Sequence, residues 1–108
     1  MKRKDIQTLL RKLGKPTQYM SWKKGQEPAL PYFLFRTPGR DDKKADNQNY
    51  QKIPQWEIDL YSDTKEEELE EQLEAALKEL GITYGKFEFH IETEDMILNR
   101  YSFNTLGD

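Results

Sequence analysis

Apolar and polar residues alternate from Gln55 to Tyr61, with Trp56, Ile58 and Leu60 on one side and Gln55, Glu57, Asp59 and Tyr61 on the other. A period of two predicts a strand with one face on a core. Past Asp63 the period lengthens. Leu69, Leu73, Ala76, Leu77 and Leu80 recur at spacings of three and four, which predicts an amphipathic helix. Asp63 with Glu66 three residues on suits a capping box at its start, and Gly81 suits a left-handed stop at its end. Alternation then returns in Phe87, Phe89 and Ile91, an apolar set expected to pack near the first strand. Strand, helix and strand predict a right-handed βαβ crossover with the helix across the sheet, the nucleus of one core.

The rest of the chain adds to this unit. Ile6, Leu9, Leu10 and Leu13 predict a short amphipathic helix, with Asp5 near its start, Arg11 and Lys12 near its end, and Gly14 and Pro16 stopping it. Tyr19 to Trp22 reads as a short strand and Lys23 to Gln26 as the turn after it. Tyr32 to Phe35 is apolar enough to be buried on both sides, a central strand. Thr37 to Tyr50 is polar and aperiodic; because it joins two candidate neighbouring strands, it reads as an extended hairpin arm. Pro54 fits the entry of the next strand. Thr83 to Glu92 and Met96 to Phe103 predict a closing hairpin around Thr93 to Asp95, and the tail from Asn104 is expected to fray. The predicted fold is α+β, in the order α-β-β-β-α-β-β. A single mixed β-sheet carries two helices packed on one side and a long β-hairpin arm. Residues 1–108 read as one domain, with the arm at 37–50.

Composition narrows the function. The chain is 35% hydrophobic, 34% charged and 12% aromatic, so a small aromatic core is expected, one that self-association or a permanent partner would help stabilise. Without cysteine there is no disulfide scaffold, thiolate metal site or cysteine nucleophile, and a reducing compartment fits. The N-terminus lacks the apolar run of a secretory signal, and no later segment is apolar enough to span a bilayer. A net charge of -3 gives no overall attraction to nucleic acid.

Candidate chemistry is sparse. Gly14 to Thr17 lacks the earlier glycine of a phosphate loop, and no serine sits in a nucleophile elbow. Glu88, His90 and Glu92 share one strand face, but alternate residues there lie about 6.8 Å apart, too far for three ligands to converge on one ion. The more economical reading is a solvated or subunit-facing surface. Glu92, Glu94 and Asp95 sit at a hairpin tip, where carboxyls are solvated and poor acid/base pairs. Asp41, Asp42 and Asp46 lack the spacing of a calcium loop. Lys2, Arg3, Lys4, Arg11, Lys12 and Lys15, near Tyr19 and Trp22, make a local nucleic-acid-like patch, which the glutamate-rich helix opposes. In that helix Glu67 with Glu71, and Glu70 with Glu74, are like charges one turn apart, offset in part by Glu74 with Lys78. Docking of Glu70, Glu71 and Glu74 against the basic first helix of a neighbouring subunit would explain them.

Pro28 to Phe35, the polar arm with Ala45 to Asn47 and Tyr50, Ile58 to Lys65 leading into the glutamate-rich helix, and Glu92 to Met96 before a tyrosine-bearing strand resemble small phage and prophage proteins of the tail completion or tail terminator (head-tail joining) type. The resemblance spans roughly Pro28 to Phe103 and rests on structural junctions, not on a catalytic signature. It implies a structural virion protein of a long-tailed phage, made in the bacterial host cytoplasm. Such a protein caps the tail tube and meets the head connector protein as an oligomeric ring, commonly a hexamer. No enzyme activity, cofactor, membrane or small-molecule substrate is implied. By position in the arm, Arg40, Asp41, Asp42, Lys43 and Lys44 are the expected polar contacts to a neighbour or the tube protein. The alternatives from other classes are a nucleic-acid-binding regulator using the basic N-terminus and a metal-dependent enzyme using Glu88, His90 and Glu92.

Overall fold

The computed structural model describes residues 2–40, 43–45, 48–51 and 54–105. Its elements run α1 (Arg3–Lys12), β1 (Thr17–Tyr19), β2 (Tyr32–Arg40), β3 (Lys43–Ala45), β4 (Gln48–Gln51), β5 (Pro54–Ser62), α2 (Glu67–Glu79), β6 (Gly85–Ile91) and β7 (Met96–Asn104). Five strands form one mixed sheet in the order β1-β2-β5-β7-β6, and β3 and β4 pair as a separate two-stranded hairpin. This is the expected α+β order, with the arm hairpin inserted between β2 and β5.

Among the described residues only β1 and β2 are parallel neighbours; β2 with β5, β5 with β7, and β6 with β7 are antiparallel. It follows that β5 and β6 run in the same direction with β7 between them, so the expected βαβ unit is a split one. Alternation along each strand separates two faces. Phe33 and Phe35 of β2, Trp56, Ile58 and Leu60 of β5, and Tyr101 and Phe103 of β7 form one core with Ile6 and Leu10 of α1 and Leu69, Leu73 and Leu77 of α2. Both helices therefore lie on the same side of the sheet. Among the described residues no helix covers the opposite side, although Tyr32, Asp59 and Leu98 there are buried among neighbouring side chains.

Several local expectations move. The strand expected over Tyr19–Trp22 is Thr17–Tyr19, because Met20 takes a left-handed backbone (φ 70°) that ends it. Tyr32–Phe35 is interior, as expected, but the middle strand is β5. Helix α2 starts at Glu67 with Glu66 as its N-cap and no side-chain cap, so Asp63 and Glu66 form no capping box. Gly81 is left-handed (φ 73°), as expected, and Leu80 is the C-cap, leaving its side chain 53% exposed outside the core stripe. In α1 the carboxylate of Asp5 accepts the Lys2 backbone N–H at 2.8 Å, which satisfies one orphan donor of the first turn. Pro54 opens β5, and Pro38 falls at the register shift between Arg36 and Gly39, where a missing ladder donor does least harm. Asn104 and Thr105, expected to fray, are ordered: Asn104 ends β7, and the Thr105 N–H donates to Pro54 O at 3.1 Å while its hydroxyl accepts from Trp56 Nε1, also at 3.1 Å; the rest of the expected tail lies outside the described residues. No helix among the described residues is long and apolar enough to cross a membrane.

Candidate assembly surface

The largest departure from the sequence pattern is β6. Register with β7 pairs Lys86 with Tyr101, Glu88 with Asn99 and His90 with Ile97, all on the helix side, and turns Phe87, Phe89 and Ile91 to the open face. Phe87 is 60% exposed and Phe89 45% exposed, their rings stacked 6.5 Å apart, so the two phenylalanines expected in the core are outside it.

The reason lies across the chain. Lys86 Nζ donates to Glu70 Oε1 and to Glu74 Oε2, each at 2.7 Å. Lys65 Nζ donates to Glu70 Oε1 at 2.8 Å and to Glu88 Oε1 at 2.6 Å. Asn99 Nδ2 reaches Glu70 Oε2 at 3.3 Å and the Tyr101 hydroxyl donates to Glu74 Oε2 at 2.8 Å. A buried carboxylate is costly unless paired and hydrogen-bonded, and Glu70, only 2% exposed, has both kinds of partner. Turning β6 over would put phenylalanines against that carboxylate. The like charges of Glu70 and Glu74 are bridged by Lys86 from the sheet, not by Lys78.

This network tunes its members. Burial would raise the Glu74 carboxyl, but hydrogen bonds from Lys86 and Tyr101 hold it below the ordinary range. The bond from Lys65 lowers Glu88. Lys65 is raised by its bonds to Glu70 and Glu88; for Lys86, burial works the other way and its two carboxylates prevail, raising it. Burial and the Glu74 bond push the Tyr101 phenol far up. These groups are bonded to one another, and a structural ion-pair network of this kind perturbs the pKa values of its members.

The open face is ordered in rows. Register aligns Phe89, Leu98, Tyr61 and Tyr32, with Tyr32 and Tyr61 rings 5.3 Å apart and Trp22 packed edge-on to Tyr32 at 5.5 Å. The next row holds Phe87, Arg100, Asp59 and Leu34. Arg100 grips Asp59 with two bonds of 2.9 and 3.0 Å, and the Asp59 bond raises the arginine further. Arg36 Nε donates to Glu57 Oε1 at 2.7 Å in the row beyond. Paired arginine forks of this kind hold long side chains in one conformation at low entropy cost.

The structure separates the other candidate residues. Glu71 is exposed on α2, whereas Glu70 is inside and Glu74 half-buried, both bonded within the chain. Arg40 ends β2 and pairs with Pro54; Lys43 and Lys44 lie in β3, in register with Gln51 and Asn49 of β4. Asp41 and Asp42 lie outside the described residues, as does Asp46. Glu88 is bonded to Lys65, and His90 Nε2 lies 3.3 Å from Asp95 Oδ1. Among the described residues no group of three or more histidines and carboxylates is placed to hold a metal ion. In the basic patch, the Arg3 guanidinium sits 4.7 Å over the Tyr19 ring and Trp22 is against Tyr32, so both aromatic faces have partners within the chain. On the helix side an open groove of about 770 Å³ runs between α1 and α2, lined by Leu9, Leu13, Ala76 and Leu80 together with Lys4, Asp5, Lys12 and Glu79. Neither it nor the exposed phenylalanines was visible in the periodicity, which shows which residues share a face but not which face is covered.

These features define a class: an α+β slab with one face closed by two helices, an ordered opposite face and a separate two-stranded hairpin inserted between β2 and β5. Among solved structures the chain is similar in fold to a chain from the virion of a native gene transfer agent (GTA) particle, at 14% sequence identity and a TM-score of 0.59, over 92% of this chain and 84% of that one. No family model matches the chain, and no curated protein matches it in sequence.

Proposed function

We propose that this protein is a structural component of a phage or phage-like particle that caps the tail tube and joins it to the head connector as an oligomeric ring. The observation that carries the reading is the fold shared with a GTA virion chain over nearly the whole length. The resemblance of the junction motifs to tail completion proteins supports the finer assignment. A head-to-tail ring needs two unlike surfaces on each subunit. The arm, with Arg40, Asp41, Asp42, Lys43 and Lys44, supplies one. The helix side supplies the other, where the acidic side of α2 meets the basic α1 of a neighbour: Glu71 makes the contact, while Glu70 and Glu74 hold the helix in place from within.

The test is made on particles produced by the genome that encodes this chain. With an epitope tag on the chain, immunoelectron microscopy is expected to label purified particles at the junction of tube and head. Deletion of the gene is expected to leave unjoined heads and tails. A chain absent from particles, or particles indifferent to its deletion, would overturn the reading.

A further inference from the structure

Strand β6 ends the sheet, and among the described residues no strand pairs with its outer side. An exposed, regular edge with two bare phenylalanines is a template for another strand. Its sequence identifies which one. Lys86-Phe87-Glu88-Phe89-His90-Ile91-Glu92 is complementary to itself when run antiparallel about Phe89. Phe87 then faces Ile91 of the second copy, Glu88 faces His90, Lys86 faces Glu92, and Phe89 faces its own equivalent. Apolar side chains meet on the open face; on the helix face the Glu88 carboxylate meets the His90 imidazole, and Lys86 meets Glu92, the residue just past the strand. Other registers lose this match. Centring on Glu88 opposes glutamate to glutamate and Lys86 to His90, centring on His90 opposes Glu88 to Glu92, and a parallel in-register pair opposes every charge to itself. Lys86 suits the contact: its ammonium has three donors, and its described bonds to Glu70 and Glu74 use two.

We infer that two copies of this protein join edge to edge through β6, antiparallel about Phe89, extending two five-stranded sheets into one. The contact is isologous and closes at two copies, so it describes the free protein and does not depend on the virion reading.

Sedimentation equilibrium of the full chain over a range of concentrations tests it. The unaltered protein is expected to show a reversible monomer–dimer equilibrium. Phe89→Lys, at an exposed position, puts two lysines on the two-fold axis and is expected to raise the dissociation constant at least about tenfold with unchanged circular dichroism. His90→Glu opposes two glutamates and is expected to do the same. Mixing His90→Glu with Glu88→Lys sets the introduced lysine opposite the introduced glutamate and keeps Glu88 opposite His90, so native mass spectrometry is expected to detect the mixed dimer. Monomer throughout, a dimer indifferent to Phe89→Lys, an assembly growing past two through this edge, or no mixed dimer would overturn the inference.

Discussion

Glu70, Glu74, Lys65, Lys86 and Tyr101 fix how α2 sits on the sheet, so the titration of Glu74, Lys65 and Lys86 should appear in stability. Glu74 and Glu88 titrate lower when folded, so each contributes stability that is present above its unfolded pKa and lost as pH falls through the folded value. Lys65 and Lys86 titrate higher when folded; their contribution is full below the unfolded value and lost as pH rises past the folded one. Urea midpoints are therefore expected to be flat near neutrality and to fall below about pH 4.5. Glu88 is nearly half exposed, so solvent screening leaves Glu74 the larger part of the acid limb. Tyr101→Phe removes the hydroxyl that donates to the Glu74 carboxylate at 2.8 Å, without removing ring volume. It is expected to cost about 1.5–3 kcal/mol by urea unfolding at neutral pH, and to make the acid limb shallower because Glu74 loses a bond that lowers it. An unchanged midpoint would show that the bond contributes nothing net.

At the scale of elements, α2 and β6 divide what the sequence reveals from what it hides. The three-and-four spacing located α2 because helix geometry alone puts Leu69, Leu73 and Leu77 on one face. Its last apolar member misled, since Leu80 is the cap and its side chain is no longer held by the helical stripe. Leu73→Ala is accordingly expected to cost about 2–5 kcal/mol, as for other buried leucines. Leu80→Ala should stay within about 0.5 kcal/mol, as for exposed positions, both read from denaturant midpoints. Equal costs would mean that the groove around Leu80 is filled. In β6 the alternation was legible, but the covered side was not. The choice is made by contacts from Lys86 to Glu70 and Glu74 and from Glu88 to Lys65, which join residues distant in sequence. A reading by hydrophobicity therefore assigns Phe87 and Phe89 to the core, because local pattern carries no record of a buried carboxylate that needs lysines. The candidate contacts fared similarly: the glutamate run marked α2, while which of Glu70, Glu71 and Glu74 faces outward depends on where the sheet lies.

For the whole molecule, the open question is whether the arm serves the fold or the assembly. Strands β2 and β5 pair from Tyr32 with Tyr61 out to Arg40 with Pro54, and β3 and β4 pair with each other and not with the five-stranded sheet. The core residues lie in the two helices and in β2, β5 and β7. Nothing in that core depends on the insertion, so the slab should close without it. Replacing residues 41–53 with Asn-Gly, a pair suited to a two-residue hairpin, would join Arg40 to Pro54 directly. The shortened chain is expected to fold with a Tm within a few degrees of the full one, because shortening a connection outside the core changes loop-closure entropy only slightly. It should also keep the β6 edge and its self-pairing. Incorporation into particles is expected to be lost, since loops that project from a rigid scaffold are where binding contacts concentrate. Immunoblots of purified particles against the same chain in the lysate measure this. Full incorporation without the arm would place the assembly contacts on the slab alone, whereas a chain that fails to fold would make the insertion part of the scaffold.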